Sequence, residues 1–97
     1  MIAPVILPVV RRAILDLLTE IGGERNHDAI AMDLRALGHR PLAASDVAGE
    51  LMWLASAGLV HAEALGPYTV ARVLSAGRDV AEGQHFVDGV SRHRTGE

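Results

Sequence analysis

Glycine punctuates this chain, and the stretches between the glycines decide what it can build: Gly22-Gly23, Gly38, Gly58, Gly66 and Gly83 each close a run of regular apolar spacing or of β-prone residues. Glycine ends helices because it enters the left-handed region without steric cost. In the first stretch Val10, Ile14, Leu17, Leu18 and Ile21 recur at helical spacing, with Arg12, Asp16, Thr19 and Glu20 opposite. This predicts a helix over Pro8 to Ile21, with Val9 and Leu15 off its main stripe. Asn26 stands where an N-cap belongs, Ile30, Leu34 and Leu37 share one face, and Gly38 follows, which predicts a second helix. After Pro41, Ser45 is the candidate N-cap of a third, with Asp46 in its first turn and Val47, Leu51 and Leu54 as its buried stripe up to Gly58.

The pattern then changes period. Leu59 to Leu65 and Tyr68 to Val73 flank Gly66-Pro67, and the second run is rich in Val, Thr and Tyr, which predicts a hairpin. Ser75 is the candidate cap of a short last helix, Ala76 to Glu82. From Gln84 on, Phe86, Val87 and Val90 are the main apolar residues, so loose packing is expected there. The expected fold is mainly α with a small β-hairpin, in the order helix, helix, helix, hairpin, helix. That is a winged helix-turn-helix, in which the second and third helices form the helix-turn-helix and the hairpin is the wing.

At 97 residues there is room for one domain, read as residues 1–90 with an apolar leader at 1–9 and a flexible tail at 91–97. Hydrophobic residues make up 49% and charged residues 22%, a composition that folds. Nine basic residues, all Arg, against twelve acidic ones leave a net charge of −3, so no global positive field attracts polyanions and any nucleic-acid contact must be local. The leader has no basic residue ahead of its apolar run and meets Arg11 and Arg12 directly after it, the reverse of a signal peptide. A soluble cytoplasmic protein is expected, with no membrane association.

The residues Glu50-Leu51-Met52-Trp53-Leu54-Ala55-Ser56-Ala57-Gly58-Leu59-Val60 resemble the junction between helix three and the wing in many winged-helix regulators. With Leu37-Gly38-His39-Arg40 and Arg78-Asp79-Val80-Ala81-Glu82-Gly83 added, the chain from Pro8 to Val90 looks most like the small winged-helix proteins of Mu-like phages and prophages. Those proteins are similar in turn to ArsR-type transcriptional regulators. The resemblance implies DNA binding in transcription regulation. It also puts the base-reading positions at Ala48, Gly49, Glu50 and Met52, none of which is a good donor to base edges. Metal sensing in such regulators uses cysteine, and this chain has none.

Candidate contacts follow. Arg35, Arg40 and Arg72, with Ser45 and Gly49, are the candidate residues for double-stranded DNA, the arginines touching phosphates or else pairing with acids such as Asp33 or Glu63. On a helical wheel Trp53 lies well off the buried stripe, so it either packs under the hairpin or, with Met52, anchors a protein interface. Val5, Ile6 and Val9 in the leader exceed what one helix can hide and point to a homodimer, the alternative being a leader folded over its own core. The histidines, His27, His39, His61, His85 and His93, include no pair at the spacing that sets two ligands on one helical face, so no metal and no cofactor are expected. No nucleophile elbow, phosphate loop or zinc-protease motif occurs, and no enzymatic activity is expected. Two functions stay open: a DNA-binding phage protein with atypical or weak contact, and a winged-helix protein-interaction module without DNA binding.

Overall fold

A computed structural model describes residues 2–39 and 43–92. One turn of 3-10 helix, Pro4–Ile6, leads directly into α1 (Leu7–Ile21). There follow β1 (Arg25–Asn26), α2 (His27–Ala36), α3 (Ala44–Ser56), β2 (Val60–Leu65), β3 (Tyr68–Val73) and α4 (Ser75–Ala81). The three strands form one antiparallel sheet in the order β1-β3-β2. The chain is thus mainly α with a small sheet, in a winged-helix-like arrangement. β1 was not expected, because two residues are too short to show a period of their own.

The core lies where the helices meet the inner face of the sheet. Ile14, Leu15, Leu18, Ile30, Leu34, Val47, Leu51 and Leu54 are fully buried and are joined by Val60, Ala71 and Val73 from the hairpin. The predicted stripe of α3 is therefore correct. Leu15, expected off the stripe of α1, is buried because α1 is enclosed on more than one side, packing on α4 as well as on α2 and β3. Leu37, expected on the buried face of α2, is 65% exposed. The helix has ended by then, with Gly38 N donating to Arg35 O and His39 N to Leu34 O, both at 3.0 Å, and the tightened turn carries Leu37 off the face.

Capping follows the same logic. Asn26 caps α2 as expected, its Oδ1 accepting from Ala29 N at 2.8 Å. Ser45 does not cap α3: Asp46 N and Val47 N both donate to Ala43 O, at 3.0 and 3.2 Å, so the first turn closes ahead of the hydroxyl. Ser75 does not cap α4 either. Leu74 holds that position, its N–H donating to Leu59 O and its carbonyl accepting from Arg78 N, so the helix begins where β3 ends.

Gly77 allows this close junction. A Cβ built on it would stand 2.1 Å from Leu59 O and 2.9 Å from a methyl of Val73, so only a glycine lets α4 lie against the start of the hairpin.

Residues beyond α4 turn back over α1, against the expectation of loose packing from Gln84. Val90 is buried, and Ser91 N donates to Pro8 O at 3.0 Å. Arg12, only 4% exposed, holds this return: it donates to Asp16 Oδ1 at 3.1 Å, Ala81 O at 2.8 Å and Ser91 O at 3.3 Å. A buried guanidinium is tolerated when its donors are used in this way. Residues 93–97, most of the expected flexible tail, lie outside the described residues.

Candidate nucleic-acid interface

The site is built from α2, α3 and the β2–β3 hairpin. α3 packs on α2 and on β2, burying Val47, Leu51 and Leu54 and turning Ser45, Gly49, Met52 and Ser56 outward. These four residues carry no charge, and Asp46 in the first turn is half-buried. Gly49 has open space where a side chain would stand, and Met52 is 54% exposed.

Glu50 does not share this face. Arg11 of α1 reaches it, Nε donating to Oε1 at 2.6 Å, and the two side chains are nearly buried together. The same guanidinium lies 3.8 Å over the Trp53 ring and donates to Gly89 O at 3.2 Å. Trp53 is covered further by Gly89, where a Cβ would stand 2.9 Å from the ring. The indole is therefore half-buried against α1 and the returning segment. Neither sequence reading named this cover by α1 and the returning segment. The cover could not be seen in the sequence, because Arg11 and Gly89 lie far from Trp53 along the chain.

On the hairpin, Val60, Ala71 and Val73 face the core, while His61, Glu63 and Arg72 face outward. Arg72 is exposed and sits directly across from His61, whose Nε2 is 3.6 Å from Glu63 Oε2. Leu65 and Tyr68 form the exposed pair next to the turn. His27, the first residue of α2, reaches the wing: its Nδ1 accepts from Thr69 N at 2.9 Å, and its ring lies 6.0 Å from that of Tyr68.

The other sequence candidates are placed as follows. Arg35 is exposed on the last turn of α2 and takes part in interactions within the chain. Arg40 lies outside the described residues. Asp33 pairs with Arg25, whose Nη2 donates to Oδ1 at 2.9 Å, and hydrogen bonding to Asp33 pushes the Arg25 guanidinium pKa up. Val5 is 84% exposed, Ile6 and Val9 are also exposed, and Ile2 before them is buried in the core. The leader thus divides between the two expectations, Ile2 and Leu7 packing on the core and Val5, Ile6 and Val9 left on the surface.

Elsewhere, Leu17, Ile21, Ala36 and Leu37 floor an open groove of about 440 Å³ between α1 and α2, rimmed by Glu20 and the Arg25–Asp33 pair. Among the described residues no group of three or more His, Asp or Glu side chains is placed to hold a metal ion. None of the described helices is long and apolar enough to cross a membrane.

No family model matches this chain, and no solved structure matches it. Over 84 residues it is 38% identical to "Uncharacterized protein gp26" of Escherichia phage Mu, an alignment that covers 87% of this chain and 86% of that protein. At that identity and coverage, the chain belongs to the gp26 family of Mu-like phage proteins.

Proposed function

We propose that this phage protein binds double-stranded DNA with α3 and the wing, in the manner of ArsR-type winged-helix regulators but with weak or atypical contact, as a regulator or an accessory to DNA handling. The observation that carries the reading is the Arg11–Glu50 pair. A free carboxylate on the outer face of α3 would repel phosphates, and this one is turned inward and neutralised. What stands fully outward is uncharged: Ser45, a hydroxyl that can donate to a phosphate, Gly49, which permits close approach, and Met52, with Asp46 half-buried in the first turn. Arg72 on the wing supplies a cation, joined by Arg35 on the last turn of α2; Arg40, the further candidate, lies outside the described residues. Because α3 offers few donors to base edges, contact is to the sugar-phosphate backbone and to groove shape rather than to sequence.

The protein acts by binding, without a catalytic step, and as a homodimer joined through Val5, Ile6 and Val9. Two-fold pairing would present two α3 helices to two half-sites. Fluorescence anisotropy of a labelled mixed-sequence duplex, titrated at about 50 and about 200 mM salt, tests the reading. Binding that weakens steeply with salt, and whose salt slope falls by about 1 in Arg72→Ala, is the expected result. Absence of binding at the lower salt rejects it.

The groove over Leu17, Ile21, Ala36 and Leu37 favours a second reading, the protein-interaction module. Its mark would be a partner retained by the wild type and lost on Ile21→Ser, with no duplex bound at either salt.

A further inference from the structure

His27 occupies an unusual place in the sheet. β1 pairs with β3 through Arg25 opposite Ala71 and Asn26 opposite Val70, and there the strand ends because α2 begins. The next backbone donor along β3 is Thr69 N, and with β1 finished no backbone carbonyl continues the ladder on that side. The imidazole of His27 takes its place, Nδ1 accepting from Thr69 N at 2.9 Å. This bond ties the first helical residue of α2 to the stretch of β3 that leads from the wing's turn.

An imidazole nitrogen accepts a hydrogen bond only while it carries no proton, so the bond requires neutral His27 with its hydrogen on Nε2. A protonated ring would set N–H against N–H, and a buried amide left without an acceptor is costly. The side chain is only 13% exposed, so water does not readily replace it. The titratable groups set against the ring are Asp28 of its own helix, with Oδ1 3.6 Å from Nε2, and Tyr68 of β3, with its ring centroid 6.0 Å away.

We propose that His27 holds the Thr69 stretch of the wing against the start of α2, and that it does so only while neutral, so that protonation of the ring in mild acid releases that stretch of the wing from the helix-turn-helix. The consequence for DNA rests on the DNA-binding reading above; the release itself does not. The range from about pH 8 to about pH 5, over which imidazoles in general take up a proton, is the range in which the release is to be sought.

Amide hydrogen exchange by NMR on the free protein, corrected for intrinsic exchange rates, reads the tie directly at Thr69. Protection of that amide is expected to be lower at the acid end of that range than at the other. His27→Asn places an oxygen near the position of Nδ1 and cannot titrate, so Thr69 should stay protected across the range. His27→Leu removes the acceptor and should leave Thr69 unprotected at every pH. The proposal is overturned by wild-type protection that does not change with pH, by His27→Asn losing protection in parallel with the wild type, or by His27→Leu retaining it. A duplex titration at both ends of the range then separates the two claims. If Thr69 behaves as expected and no DNA binds at either pH, the DNA reading fails and the wing release stands.

Discussion

Arg11 Nε donates to Glu50 Oε1 at 2.6 Å while the same guanidinium covers the ring of Trp53 at 3.8 Å. One side chain on α1 thus neutralises Glu50 of α3 and shields the indole of the same helix. Replacing it should disturb both. Arg11→Met is expected to cost about 2 kcal/mol, since it leaves a nearly buried carboxylate unpaired. Trp53 is the chain's sole tryptophan, so its emission should shift to the red as the ring gains water. Urea unfolding and fluorescence spectra check both effects, and DNA affinity should fall as the charge of Glu50 is released.

Arg12 is a separate device, binding the end of α4 and the returning segment to α1. Arg12→Met keeps much of the volume but leaves the carbonyls of Ala81 and Ser91 without this donor. A loss of roughly 1–3 kcal/mol in chemical denaturation is expected, with faster exchange of the Ser91 amide.

The helices and the hairpin were legible because their signals are local. Val47, Leu51 and Leu54 repeat within one helix, and Gly66-Pro67 marks the turn between two strands whatever the rest of the chain does. What the sequence hid depends on how elements meet. Leu15 is buried because α4 covers a second side of α1, and Arg11 finds Glu50 across 39 positions of chain. The outward positions of Gly49 and Met52 were expected from the family resemblance, as was that of Glu50, which turns to Arg11 instead, while the cover over Trp53 and the tie from His27 to Thr69 had no local signal. β1 stayed hidden because two residues carry no period.

Gly77→Ala tests the junction of α4 with the hairpin. The added methyl would meet a backbone carbonyl at 2.1 Å, which cannot swing aside as a flexible side chain can. Overpacking of this kind costs about 1–3 kcal/mol, and a fall in melting temperature of several degrees is expected.

Val5 stands 84% exposed on the 3-10 turn ahead of α1, with no charged residue before Arg11. Val5→Asp should convert a dimer into a monomer in light scattering while leaving the unfolding of the isolated subunit unchanged, because the side chain touches little of its own core. A wild type that is monomeric at high micromolar concentration contradicts the homodimer.

The central claim concerns the face of α3 and the wing, and an amide NMR titration of the protein with a short duplex at about 50 mM salt tests it most directly. The account predicts shift changes gathered at Ser45, Gly49, Met52 and Arg72, with the α1 groove around Ile21 and Leu37 unmoved. A spectrum unchanged by duplex, or changes confined to that groove, would contradict it.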